Sequence, residues 1–366
     1  MAAYILRRLL LMIPTLFGIM VLNFIIIQAA PGGPIEQILA QLQGKNVSAT
    51  ARFSGGGSEV GVHTAGPQGT VATKYRGAQG IDPQLIKDLE RQFGFDKPPY
   101  ERFLLMMSNY LRFDLGESFF RSRSVLQLLI DRLPVSISLG LWTTLFTYLI
   151  SIPLGVAKAV RDGSRFDVWT SAVVIVGNAI PSFLFAILLI VLFAGGSYWQ
   201  WFPLRGLVSD NWSDLDLWHK LTDYFWHITL PVLSMVIGGF ASLTLLTKNS
   251  FLDQIGQQYV LTARAKGLTE RRVLYGHVFR NAMLIVISGF PSALIGILFT
   301  GALLTEVIFS IDGIGLLGFQ AALSRDYPVM FGTLYIFTLL GLLLRLIEDL
   351  TYVLVDPRID FERRNT

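Results

Sequence analysis

The sequence predicts an all-α, polytopic membrane protein with six transmembrane helices, and two observations carry that expectation. Hydrophobic residues make up 52% of the 366 and charged residues only 15%, with a mean hydropathy of +0.53; a soluble domain carries roughly 25% charge. The apolar residues also arrive in long uncharged runs, at 9–35, 133–157, 168–204, 224–247, 281–305 and 327–344. Each run holds the roughly 20 helical residues needed to cross about 30 Å of hydrocarbon.

The first element, 1–30, is an N-terminal tail and first span. Arg7-Arg8 followed by an apolar stretch has the outline of a secretory leader, but the stretch exceeds the usual hydrophobic region of about 7 to 15 residues. Gln28-Ala29-Ala30-Pro31 also lacks a small-x-small cleavage pattern, so the helix is expected to stay.

The second element, 31–132, is a long connection. Its early part, with Ser54-Gly55-Gly56-Gly57, Gly61, Gly66 and Gly69, has few residues to pack and is expected to be mobile. Its later part reads as a small helical cap. Asp82-Pro83, then Leu85, Ile86, Leu89 and Phe93, then Gly94, is a capped amphipathic helix, and Tyr100 to Arg112 repeats the periodicity.

The remaining five spans fall in 133–355, and 356–366 is a tail. Lysine and arginine set the orientation. Arg7, Arg8, Lys158, Arg161, Arg165, Lys248, Arg264, Lys266, Arg271, Arg272, Arg280, Arg358, Arg363 and Arg364 fall on one side, against Arg205, Lys220 and Arg325 in the opposite short connections. The basic side is cytoplasmic, so both termini are expected there and 31–132 outside.

One cytoplasmic connection, about 259–281, stands out. Tyr259 to Gly267 reads as a short helix whose end is closed by a left-handed glycine. A second helix follows, capped by Thr269 with Glu270 in its first turn. Two short helices at an angle make a knob. Ala263, Ala265 and Gly267 would let a partner surface approach closely, with Arg264, Lys266, Arg271 and Arg272 placing charge around the rim. A basic loop attracted to anionic headgroups is the plainer reading of Arg271, Arg272 and Arg280, but it leaves the alternation of small and charged residues unexplained.

Ionisable residues near the spans are candidates for a substrate path. Glu306 is expected at the outer end of the fifth span, either meeting a soluble partner or lining an exit, or as an interfacial carboxylate in water. Arg345 lies in the sixth, with Glu348 and Asp349 on its helix face, so mutual neutralisation competes with substrate contact. Pro153, Pro181, Pro231 and Pro291 are candidate kinks.

Other function classes find little support. The four histidines, His63, His219, His227 and His277, are scattered, and neither a His-Glu-x-x-His pattern nor a Gly-x-Ser-x-Gly elbow occurs. His227, beside Trp226, reads as an interfacial anchor. With no cysteine there is no thiolate metal site. No Gly-x4-Gly-Lys-Ser/Thr loop is present, and Gly313-Ile-Gly315-Leu-Leu-Gly318 lies in an extracytoplasmic turn without a strand-turn-helix unit. No catalytic residue, cofactor or metal site is expected on this chain.

Several motifs together resemble one family. They are Ala30-Pro31-Gly32, Phe93-Gly94-Phe95-Asp96-Lys97-Pro98, Asp114-Leu115-Gly116-Glu117-Ser118, Leu133-Pro134 and Thr262-Ala263-Arg264-Ala265-Lys266-Gly267. With them come His277-Val278-Phe279-Arg280-Asn281-Ala282, Glu306-Val307-Ile308-Phe309-Ser310 with Gly313-Ile314-Gly315, Arg325-Asp326-Tyr327-Pro328 and Asp356-Pro357-Arg358. The chain resembles permease subunits of bacterial ATP-binding-cassette (ABC) importers of the dipeptide and oligopeptide family, and within it the Yej-type branch.

That resemblance implies a type I ABC importer permease fold in the inner membrane, working by alternating access. It implies as partners a second permease, an ABC ATPase carrying the ATP and magnesium, an extracytoplasmic substrate-binding protein and peptide cargo, including modified peptide antibiotics, with no nucleic acid. Ala263, Arg264, Ala265, Lys266 and Gly267 would form the coupling helix seated in the ATPase. The segment from Phe93 to Arg132 would either dock the binding protein or brace the outer ends of the spans. The alternatives are an ATP-independent secondary transporter, which more often shows central acids and repeated halves, and a structural subunit, which needs no knob.

Overall fold

The computed structural model describes residues 2–30, 33–42, 83–196, 198–296 and 303–355. The glycine-rich stretch 54–69 and the closing Asp356-Pro357-Arg358 lie outside the described residues. Fifteen α-helices carry the described chain. They are α1 (Ala2–Ala29), α2 (Pro34–Leu42), α3 (Pro83–Gln92), α4 (Pro99–Tyr110), α5 (Val125–Val160), α6 (Arg165–Ala179), α7 (Ser182–Phe193) and α8 (Leu217–Ile255), then α9 (Gln258–Ala265), α10 (Glu270–Val273), α11 (Phe279–Ser288), α12 (Phe290–Gly296), α13 (Leu303–Ile308), α14 (Ile314–Ser324) and α15 (Tyr327–Val355). Among the described residues the only β pairing is an isolated bridge, Glu117 to Ser124.

Among the described residues five helical stretches are long and apolar enough to cross a membrane: Tyr4–Ala29, Val125–Val160, Leu217–Ile255, Glu270–Ala293 and Tyr327–Thr351. α6 and α7 together supply a sixth as a bent pair. The long helices overrun the bilayer. At 39 residues α8 extends about 58 Å, nearly twice the hydrocarbon thickness.

Two of the expected spans differ from what the sequence suggests. The run 168–204 is broken by 93° between α6 and α7. Ile180, forced out of the helical region by the proline after it, is extended (φ −87°, ψ 118°), and Pro181 caps the next helix. Pro153 and Pro231, by contrast, sit inside continuous helices. The fifth span begins at Glu270 rather than near Asn281, so it grows directly out of the knob.

The described chain divides into two compact units. One takes in 14–130 and 317–336. Here the amphipathic helices of the long connection form as expected, and α2 joins them. Ile35, Leu39 and Leu89 are buried together, with Ile86, Phe93 and Phe95 against them. Gly94, at φ +72°, closes α3 with paired bonds from its own N–H to Arg91 O and from Phe95 N–H to Glu90 O.

The motifs of this unit brace one another. Buried Asp326 accepts from the Ser118 hydroxyl and from Phe119 N–H at 3.1 Å, tying the Asp114-to-Ser118 turn to the Arg325-to-Pro328 turn. Gly332 is required where it stands, since a β-carbon there would fall 2.6 Å from Val125 Cγ1.

The other unit takes in 1–13, 131–316 and 337–366. α8 is its central post, packed by α6, α7 and α11. α5 meets it closely, because a β-carbon on Gly155 would lie 2.6 Å from Thr247 Cβ.

Candidate functional site

The knob is built on its own hydrophobic base. Val260 and Ala263 of α9 are buried with Val156 and Ala159 of α5, Phe251 of α8, and Val273, Val278 and Ala282 beyond. Ala263, expected to face a partner, is only 6% exposed. Its small side chain serves close packing inside this chain instead. Ala265, Lys266 and Gly267 are exposed at the tip.

The end of α9 is closed by backbone geometry. Gly267 adopts φ +78°, its N–H bonds Arg264 O at 2.9 Å, and Leu268 N–H bonds Ala263 O at 3.3 Å. This paired arrangement needs the left-handed residue that glycine supplies without a side-chain penalty. Thr269 takes the N-cap position of α10, yet its side chain makes no capping hydrogen bond. The turn is held instead by a two-pronged ion pair: Arg264 donates to both carboxylate oxygens of Glu270, at 2.8 and 3.0 Å.

A π-helical turn, Leu274–Val278, then joins α10 to α11. Leu261 and Tyr275 leave more than half of their surface open on this otherwise polar protrusion. The sequence reading passed over both.

Beneath the knob lies an ionic cluster that the sequence hid. Lys158 is fully buried in the last turn of α5. It pairs with Asp167 Oδ1 at 3.0 Å and donates to Asp167 O, Thr170 Oγ1 and Ser171 Oγ. Asp167 also pairs through Oδ2 with Lys248 of α8 at 2.8 Å and accepts from Gly163 N–H. Lys248 reaches Asp162 as well. A buried lysine with three donors and four partners is satisfied, which is the condition for tolerating its burial. Read along the sequence, Lys158 and Lys248 are loop charges; folded, they clamp α5, α6 and α8 together.

The two substrate-path candidates are placed elsewhere. Glu306 lies in α13 and is 0% exposed, so it neither lines an open exit nor sits in water. It accepts from Leu316 N–H at 2.6 Å and from the Ser136 hydroxyl at 3.3 Å, capping the N-terminus of α14. Arg345 is exposed on α15, and among the described residues its helix neighbours Glu348 and Asp349 take other partners. Asp349 pairs with Arg8 at 2.9 Å, and Glu348 accepts from the Ser292 hydroxyl. His227 is buried rather than interfacial, with Nδ1 2.9 Å from Asp223 O. Among the described residues no group of His, Cys, Asp or Glu is arranged to hold a metal ion.

Comparison with known proteins gives this arrangement its family. The "Peptidoglycan transport system permease protein YejB" of Agrobacterium fabrum is 64% identical over 365 residues, covering 100% of both chains. The "Inner membrane ABC transporter permease protein YejB" of Escherichia coli O157:H7 is 60% identical over 364 residues, again covering 100% of both. The "Oligopeptide transport system permease protein AppB" of Bacillus subtilis is 33% identical, over 99% of this chain and 100% of that one. The family model described as "Binding-protein-dependent transport system inner membrane component" matches residues 151–361, which take in the bent third span, the knob and the last two spans. The chain is therefore a multi-pass inner-membrane permease belonging to the family of binding-protein-dependent transport system inner membrane components.

Proposed function

We propose that this chain is one of two permeases in an ATP-driven importer that carries peptides into the cytoplasm by alternating access. ATP is hydrolysed on a separate ATPase, and a binding protein delivers cargo at the outer face. Both termini and the knob are cytoplasmic, in keeping with the lysine and arginine distribution. Peptide cargo is the shared element behind the oligopeptide relative and the peptidoglycan relative, since peptidoglycan carries peptide stems.

The observation that carries the coupling role is the mechanical continuity of the knob. Arg264, Ala265, Lys266 and Gly267 are held by the glycine closure and the Arg264–Glu270 pair. Ala263 anchors them to a core shared with α5, α8 and α11. A push on the exposed tip is thus delivered to three spans at once, because a close-packed core transmits displacement rather than absorbing it. Leu261 and Tyr275 supply the apolar part of the ATPase contact.

The test is purification in mild detergent from cells expressing the native neighbouring subunits. Recovery of a second permease and an ATPase is expected, with the ATPase lost when Ala265 and Lys266 are replaced by bulky acidic residues. A chain that purifies alone and transports without ATP would replace this reading with secondary transport.

A further inference from the structure

The helix α4 belongs to the connection 31–132, yet its contacts are with membrane spans. At 12 residues, about 18 Å, it is too short to cross the bilayer and has the length of a buried, re-entrant or interfacial segment. Phe103 packs edge-on against two rings of α1, Phe17 at 5.7 Å and Phe24 at 5.2 Å. Tyr110, seven residues on and so on the same face, packs against Tyr335 of α15 at 5.1 Å. α4 thus bridges the first and last spans.

The rings it touches fix its depth. Counted along the unbroken α1 from Arg8, about 30 Å of hydrocarbon ends near Gln28. On that count Phe17 stands about 14 Å from Arg8, near the middle of the bilayer, and Phe24 about 6 Å short of the far boundary. Tyr335 lies about 12 Å inside α15 from its start at Tyr327. Both ends of α4 are therefore held at hydrocarbon depth, in the leaflet on the side of 31–132. Its first turn alone reaches the boundary, where Arg102 donates to Gln28 Oε1 at 2.9 Å and lies over the Phe95 ring at 4.5 Å.

The free surface of α4 suits that place. Tyr100, Leu104, Met107 and, at the C-cap, Leu111 fall on one line along the helix. Tyr100, Leu104 and Leu111 are 60–75% exposed. Glu101 and Ser108 are also exposed and lie about a quarter-turn around, and Arg112 follows the helix end. An apolar line beside a polar one, on a helix parallel to the surface, is the pattern of an interfacial helix sunk about 5–10 Å into the boundary of headgroups and acyl chains. A soluble partner cannot reach a stripe at that depth.

We propose that α4 is a membrane-immersed interfacial helix whose stripe of Tyr100, Leu104, Met107 and Leu111 is covered by phospholipid acyl chains, with Glu101, Ser108 and Arg112 at headgroup level. By the orientation proposed above the leaflet is the outer one; the immersion itself does not depend on that orientation. α4 then acts as a brace between α1 and α15, and a soluble binding protein has to meet other parts of 93–132.

The chain has no cysteine, so a nitroxide label can be placed at one position at a time through Leu104→Cys, Leu111→Cys and Ser108→Cys. Leu22→Cys, on the exposed side of α1 between Phe17 and Phe24, is the reference for the same leaflet. Each variant is purified with its co-expressed subunits and reconstituted in vesicles of phosphatidylethanolamine and phosphatidylglycerol, with the unsubstituted chain giving the background from labels on other subunits. Collisions of the label with oxygen, which concentrates in hydrocarbon, and with a water-soluble nickel chelate are measured by power-saturation electron paramagnetic resonance. Labels at Leu104 and Leu111 are expected to match Leu22, with frequent oxygen collisions and loss of nickel collisions, while Ser108 regains nickel collisions. Frequent nickel collisions at Leu104 and Leu111 would place the stripe in water and overturn the proposal. Loss of collisions with both reagents there would show a protein cover, a second permease or another copy of this chain, and overturn it equally. Equal protection of Ser108 and Leu104 from nickel would overturn the two-sided arrangement. The readout involves no transport, so its outcome is separate from that of the peptide-import reading.

Discussion

Gly313 lies so close to the carboxylate of Glu306 that a β-carbon on the glycine would overlap it, and Gly315 leaves only 3.0 Å to the other carboxylate oxygen. The spacing from Glu306 to Gly313-Ile314-Gly315 is thereby explained. The acid reaches back to cap α14, and the two glycines are the space it occupies.

Gly313→Ala is therefore expected to destabilise the chain by about 1–3 kcal/mol, the range for overpacking a filled site. Glu306→Ala, which strands Leu316 N–H and the Ser136 hydroxyl, should cost a similar amount. Heating the detergent-solubilised protein in steps and measuring the folded fraction by size exclusion would register both. A melting profile equal to wild type for Gly313→Ala would refute the cradle.

In the ionic cluster the expected order of damage is Asp167→Asn, then Lys158→Met, then Lys248→Met. The first leaves buried Lys158 with no counter-charge, and breaking a buried pair costs about 3–5 kcal/mol. The last removes a partly exposed lysine while Asp167 keeps Lys158, so its effect is discounted for solvent. The same stepwise heating ranks the three, and a Lys248→Met variant worse than Asp167→Asn would contradict the arrangement.

At Gly267 the two candidate causes of failure separate cleanly. Nothing lies within 4 Å of a β-carbon there, so any cost to the isolated chain comes from φ +78°. Gly267→Asn tolerates that conformation and should fold and couple; Gly267→Val should lose about 1–2 kcal/mol and unseat the tip. ATPase stimulation by loaded binding protein is the readout. Equal stimulation in the Val variant and wild type would count against the coupling role.

The orientation is open to direct chemical test, because the chain has no cysteine to remove. Lys266→Cys should resist a membrane-impermeant maleimide in spheroplasts and react after permeabilisation. Trp212→Cys, in the 3-10 turn Trp212–Asp214 ahead of α8, should react at once. The reverse pattern would invert the topology.

Much of this molecule was legible because it follows from local rules. The existence of α1 and α15 as apolar helices, the glycine closures at Gly94 and Gly267 and the amphipathic α3 each depend on residues close along the chain. What stayed hidden depends on partners distant in the chain. Pro181 breaks its span and Pro231 does not, a difference that the residue type alone does not reveal. Lys158 and Lys248 looked like ordinary flanking charges because Asp167 meets both only after α5, α6 and α8 assemble. Glu306 looked interfacial because its acceptor role is fulfilled by backbone ten residues away. Ala263 was assigned outward on composition, since the alternation of small and charged residues does not reveal which small ones are packed inside.

The π-helical turn at Leu274–Val278 has a consequence for tolerance to insertion and deletion. Such a turn accommodates one residue more than an α-helix would place in the same rise. The fifth span therefore carries a spare residue at its root. Removing one residue from 274–278 lets the turn tighten to α while Val286 and Gly289 keep their facing, whereas the same deletion within α11 would turn every later side chain by about 100°. The knob and the span are thus joined at the one place in this segment where their spacing along the chain can change without changing what the span presents.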